Sequence, residues 1–388
     1  MAIFLFLLVS CCIQCYEVNG GRIHHQNKQQ LQLHDYQNFQ PSIDDSFDCV
    51  DMYNQPAFQH PLLKNHKIQL FPTFLRTTMQ NRSSSFGKAV KYQNFIRECP
   101  LGKVPILKTT TRQKMVTKSS SKSQLDNFNE NSQSNPGHHF ATLETTKDMM
   151  FRGGSARIST YNLSLQENQY SISGIWIQSG PPTELNSIQV GTGVHPSLYG
   201  DHQIRITAYW TADGYHKTGC YNYQCPGFVQ VHRGTGFGAV LLYSSEIGTL
   251  NKYFWSVKVK QDQSTGNWWC IGGNDNVALG YWPKEIFTHL RQGSSLIIYG
   301  GETFAPPNMI SPPMGSGRLP KELFKNSGFI SNLEIVDSNY NEVEIKPKDM
   351  KSNCDTTPNC YDMLYHGYEG SFYRQAFLYG GPGGKCGI

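Results

Sequence analysis

Gln189 stands inside an alternating apolar stretch, NSIQVGTGV, where a side-chain amide needs a partner if it is buried. A glutamine offers an N–H₂ donor and a carbonyl acceptor without titrating. Glu302 closes the run SSLIIYGGE and offers a carboxylate that can take up and return a proton. Amide hydrolysis needs a base for water, a donor for the developing oxyanion and an acid for the leaving amine. A carboxylate facing an amide can meet all three needs. Spacing alone does not select Glu302, because a Glu after two glycines at a strand end reads first as a solvated turn residue.

Other constellations are weaker. H-E-x-x-H and G-x-S-x-G are absent, as are Asp-Thr-Gly and Asp-Ser-Gly triplets. Gly315-Ser316-Gly317 lies in a Gly/Pro-rich loop and reads as a turn. His138 and His139 are adjacent, and adjacent strand positions face opposite ways, so they do not form a metal pair. No metal or other cofactor is expected. Cys220 lies near His216 but only five residues from Cys225, which marks a disulfide rather than a nucleophile. Trp210, Tyr215, Trp268 and Trp269 are candidates for lining a substrate cleft, with core or rim packing as the plain alternative.

These residues need strands to position them. The 388-residue chain is 12% aromatic and only 16% charged, a mixture that favours strands and turns over solvated helices. Its formal charge of +5 is mild and no basic cluster interleaves with aromatics, so nucleic acid is not an expected partner. Short alternating runs punctuated by turns begin at Gly137. They include Tyr170 to Ile177, Gln203 to Trp210, Tyr253 to Lys260, NWWCIG and Leu296 to Tyr299. Phe329 to Val336 and Glu342 to Ile345 read as a hairpin across SNYN. This pattern predicts a mainly β protein, an antiparallel sandwich or barrel. WPKEIFTHLRQG is the one segment that reads as a helix, with Pro283 at its start and Gly293 at its stop.

Ahead of the β region, residues 1–20 read as a secretory signal, since Ile3 to Val9 is too short to span a bilayer. A secreted protein with no membrane anchor after signal removal is expected. Residues 21–47 are polar, and a small apolar segment follows, held by a Cys49–Cys99 bridge. Residues 115–136 are rich in Ser, Asn, Lys and Gln and read as a linker or processing segment, or as a long surface loop. Beyond the signal eight cysteines remain, an even set suited to four disulfides, and Cys220–Cys225 closes a short loop. Sequons at Asn81 and Asn162 fit the same compartment.

Longer motifs carry a resemblance. CVDMYNQPAFQHPLLKNHKIQ resembles the activation peptide of the plant neprosin family. AYWTADGYHKTGCYNYQCPGFVQ, TGNWW, GYWPKEIFTHL, YGGE, MGSG and YGGPGG resemble the family's C-terminal domain. The resemblance implies a small α/β propeptide domain (21–114), the linker, and a glutamic-peptidase-like antiparallel β-sandwich at 137–388. It implies an acid peptidase with two catalytic glutamates, cleavage after proline, and the propeptide as intramolecular inhibitor. Location is expected outside the cell, in the cell wall or in a vacuole.

The second glutamate of the family motif falls on Glu302. The first position falls on Gln189, and the family's nearby tryptophan on Thr192. The pair is similar to the Gln/Glu dyad of fungal glutamic peptidases, with Glu302 as base and Gln189 as oxyanion donor. The Thr192 substitution is expected to widen the cleft beside Gln189 and to weaken a proline preference. Pro136, at the start of the β region, is a candidate self-processing site. The resemblance also implies a Cys360–Cys386 bridge, which leaves Cys270 and Cys354 to pair with each other. The competing reading is an inactive sandwich that binds peptide or cell-wall carbohydrate.

Overall fold

Runs of β-branched and aromatic residues broken by Gly, Asn and Pro favour short strands, and the chain forms them. The computed structural model describes residues 46–75, 98–108, 137–249, 252–273, 276–321 and 323–386. The expected signal, the linker at 115–136 and the sequon at Asn81 lie outside the described residues. Asn162 is exposed, as a glycan acceptor must be.

The strands begin with β1 (Phe47–Asp51), β2 (Lys103–Leu107), β3 (His138–Thr145), β4 (Gly153–Ser159), β5 (Tyr170–Ser179), β6 (Asn186–Val194) and β7 (Arg205–Thr211). They continue with β8 (Cys220–Tyr221), β9 (Val229–Gln230), β10 (Phe254–Gln261), β11 (Trp268–Gly272), β12 (Val277–Trp282) and β13 (Leu296–Phe304). The last are β14 (Met314–Gly315), β15 (Gly328–Val336), β16 (Glu342–Glu344), β17 (Met350–Cys354), β18 (Asp362–Tyr368) and β19 (Gln375–Gly381).

β1 and β2 pair with each other, and Cys49–Cys99 closes the small N-terminal domain. The other strands form two sheets. The first has seven strands in the order β17-β3-β13-β5-β6-β7-β8. The second has ten, in the order β14-β19-β15-β4-β10-β11-β12-β9, with β16 beside β15 and β18 beside β19. The sheets pack face to face as an antiparallel sandwich. Between them the Tyr299 hydroxyl donates to the Glu334 carbonyl at 2.7 Å, and Trp255, Trp268 and Ile175 are buried in one core.

Two expectations need correction. WPKEIFTHLRQG does not form a helix but two short 3₁₀ turns, Lys284–Ile286 and Leu290–Gln292. The side-chain carbonyl of Asn186 accepts from the backbone N–H groups of His289 (2.7 Å) and Leu290 (3.1 Å). That capture replaces helical bonds, while Ile286, Phe287 and Leu290 still reach the core. The second correction concerns cysteines. Cys220–Cys225 and Cys360–Cys386 are bridged, but Cys270 and Cys354 are free.

Cys270 lies on β11 inside the core, whereas Cys354 ends the edge strand β17. β17 meets β18, which pairs with β19, and β15, β4 and β10 lie between β19 and β11. Four strand steps amount to roughly 19 Å, far beyond disulfide reach. Burial raises both thiols, with Cys354 pushed up to about 11.

Candidate active site

Glu302 on β13 and Gln189 on β6 flank β5 on the outward face of the first sheet. Register fixes this: Glu302 pairs with Ile172, and Gln189 pairs with Trp176 two steps along the same side of β5. Between these levels lies a row of three paired glycines, Gly300, Gly174 and Gly191. A Cβ on Gly191 would stand 1.9 Å from the Ser173 carbonyl oxygen, and one on Gly300 would stand 2.3 Å from that of Ala141. The row therefore stays bare, and the two long side chains lean over it and meet. Gln189 Nε2 donates to Glu302 Oε2 at 3.3 Å.

The other oxygen of Glu302 is held separately. Oε1 accepts from the Tyr170 hydroxyl at 2.6 Å and lies 3.0 Å from His138 Nδ1. Tyr170 is directly across from Phe304 on β5, and His138 is across from Phe304 on β3, so all three share the outward face. Gln189 and Glu302 are 5% and 4% exposed, so their hydrogen bonds are what make burial tolerable. Burial and the neighbouring Glu302 hold the Tyr170 phenol well above its ordinary range, which keeps it a neutral donor.

Aromatic side chains cover the pair. Tyr170, Tyr209, Tyr215 and Tyr221 form a cluster with Ile172 and Leu198, and Phe304 packs against it. His195 stacks on Tyr170 at 4.8 Å between ring centroids and meets Tyr221 at 5.3 Å. Burial lowers His195 to about 3, so its ring is neutral. Its Nδ1 accepts from the Leu198 N–H, and its Nε2 has no partner. His139 points the other way, towards Asp355, and burial followed by His138 lowers it. Burial raises Asp355, and Glu302 adds to the shift.

The four aromatic candidates divide. Tyr215 belongs at the site, where it stacks on Tyr209 and Glu302 adds to the burial that raises its phenol. Trp210 does not: it pairs with Ile188 on the inward face and packs on Phe287. Trp268 is also core, with its indole N–H donated to the Leu290 carbonyl at 2.9 Å. Trp269 lies on the outer face of the second sheet, beneath Ala57, Phe58, Ile68, Phe74 and Leu75 of the N-terminal domain. Thr192 is likewise corrected. It pairs with Ser173 on the inward face and lines a cavity of about 20 Å³ with Ser159 and Ser171, room for one water. The cleft beside Gln189 is unaffected by it.

Sequence reasoning missed His138, Tyr170 and His195. The sequence carried no signal for them, because the pairing that brings His138 and Tyr170 to Glu302 is a matter of strand register. No group of three His, Cys, Asp or Glu is arranged to hold a metal among the described residues.

A family described as Neprosin matches residues 167–382, more than half of the chain. The chain belongs to the Neprosin family. A second family, described as Neprosin activation peptide, matches residues 39–144. This Neprosin-family chain is thus organised as a peptidase zymogen, an activation peptide followed by a peptidase domain. Among solved structures, a scytalido-glutamic peptidase with a transition state analog inhibitor is similar at 11% identity and a TM-score of 0.35. That likeness covers 63% of this chain and 97% of that one. It is too slight to transfer any residue role.

Proposed function

We propose that this Neprosin-family protein is a secreted acid endopeptidase with a Gln189/Glu302 dyad. The single observation that carries the reading is the 3.3 Å contact between Gln189 Nε2 and Glu302 Oε2 on one face of the sheet. A carboxylate oxygen has two lone pairs, so Oε2 can hold Gln189 and a water together. Glu302 takes a proton from that water as the oxygen attacks the peptide carbonyl carbon. The Gln189 amide donates to the oxyanion that develops. Glu302 then returns the proton to the amine nitrogen, the C–N bond breaks, and a carboxylic acid and an amine leave.

A peptide reaches the pair only if the aromatic cover parts. Tyr215 is the natural moving piece. It sits on the turn after β7 with a left-handed backbone (φ +68°), a conformation that costs a non-glycine residue roughly 1 kcal/mol or more. In this reading the activation peptide keeps the enzyme latent, and acid processing at Pro136–Gly137 follows if the enzyme prefers proline. The test is digestion of an unstructured protein in acid by the processed chain and by Glu302→Gln. The dyad predicts loss of at least about 10³-fold in rate for the variant. Equal digestion by both proteins removes Glu302 from the mechanism. No digestion by either favours a binding protein.

A further inference from the structure

We propose that His138 is a positioning residue of this site, clamping one oxygen of Glu302 so that the other faces water. Maturation must then spare the chain from His138 onward. The inference rests on the dyad reading above and adds a residue to it. His138 Nδ1 lies 3.0 Å from Glu302 Oε1, with side-chain exposures of 2% and 5%. The ring is itself fixed, 4.7 Å from Phe304 and 6.0 Å from Tyr170 between centroids. In the clamp the proton sits on Nδ1 and is donated to Oε1, while the Tyr170 hydroxyl lies 3.1 Å from the same nitrogen. Tyr170 donates to the same oxygen at 2.6 Å.

Two donors on Oε1 and one long amide contact on Oε2 make the carboxylate asymmetric. One oxygen is held by a phenol and an imidazole, the other by the amide of Gln189. A freely rotating carboxylate would present either oxygen, or neither, to the reacting water, so the clamp supplies orientation. Because His138 touches Glu302 and not the substrate, it acts through that residue.

The chain position of His138 gives the second half of the proposal. The activation-peptide match runs to residue 144 and so takes in nearly all of β3. In the structure β3 is an interior strand of the first sheet, paired from His138 to Glu144 with β13 and from Ala141 to Thr145 with β17. Removing it would strip an edge from β13, which carries Glu302, and would take His138 away. The peptidase body therefore begins no later than His138, the second residue after the Pro136–Gly137 bond.

The test uses the full chain after acid processing, with His138→Phe, His138→Gln and Glu302→Gln. His138→Phe keeps a packed ring without the donor, and kcat should fall by about 10²-fold with KM within about threefold. His138→Gln restores an N–H of similar reach and should recover about tenfold of that loss. If kcat of His138→Phe is unchanged while Glu302→Gln is inactive, the clamp is wrong and the dyad stands. If Glu302→Gln is active, the dyad itself falls. Nitrogen NMR of the histidine-labelled wild-type chain does not depend on activity. A protonated Nδ1, lost in Glu302→Gln, supports the clamp, and a bare Nδ1 overturns it. Active material whose first residue lies beyond His138 overturns the maturation limit.

Discussion

The amide of Gln189 removes a constraint that two facing carboxyls would carry. Such a pair resists double ionisation and must share one proton to work. Gln189→Glu should therefore keep some activity but confine it to lower pH than wild type, as a pH–rate series would show. Gln189→Ala should lower kcat by about 10²- to 10³-fold with the fold intact. His195 makes a separate prediction about stability. Burial lowers its folded-state value to about 3 against an ordinary 6.5. In that window the unfolded chain binds the extra proton, so stability is complete above 6.5 and falls as the pH drops towards 3, by up to about 1.4 kcal/mol per unit. His195→Phe should lose less stability than wild type in urea titrations between about pH 7 and about pH 4. Gln189 was legible in its strand because an amide among alternating apolar residues asks for a partner. Glu302 was not, since only the motif resemblance distinguished it from a turn residue. His138 and Tyr170 were hidden because their neighbours arrive by register across β3, β13 and β5. Thr192 could have been assigned correctly, because residues three apart on a strand face opposite sides.

At the level of elements, the bare row Gly300, Gly174 and Gly191 lets two side chains on strands either side of β5 touch. Gly191→Ala should be destabilising by about 2 kcal/mol or more, because its Cβ meets a backbone oxygen rather than a flexible side chain. The measurement is the Tm of the processed chain, compared with a substitution at exposed Gly200, where a Cβ meets nothing within 4 Å. The latter keeps only the cost of a left-handed turn, φ +82°. Period-two runs revealed most of these strands, including the β15–β16 hairpin. The segment after Pro283 misled because its apolar spacing suited a helix, while its backbone bonds go to Asn186, roughly a hundred residues earlier and invisible to local pattern.

At the scale of the molecule, residues 46–75 grip the second sheet, not the face that carries Glu302. Asp262 is the centre of that grip: it accepts from Gln69 Nε2 at 3.0 Å, the Thr73 N–H at 2.6 Å and the Thr73 hydroxyl at 2.9 Å. Gln55 and Gln230 exchange two bonds nearby, and Tyr281 meets His66 and the Gln69 N–H. Asp262→Ala should weaken docking by about 1–3 kcal/mol, seen as faster limited proteolysis within residues 46–75 of the precursor. Nothing in the sequence placed the N-terminal domain against Trp269, whose surroundings come from chain far away. Cutting the chain between residues 108 and 137 should leave residues 46–75 bound on the back of the sandwich, so a nicked complex of two fragments should survive gel filtration. A synthetic peptide copying residues 66–75 would serve as a reversible tag for the peptidase, bound at Asp262 and Tyr281 on the sheet opposite the one that carries Glu302.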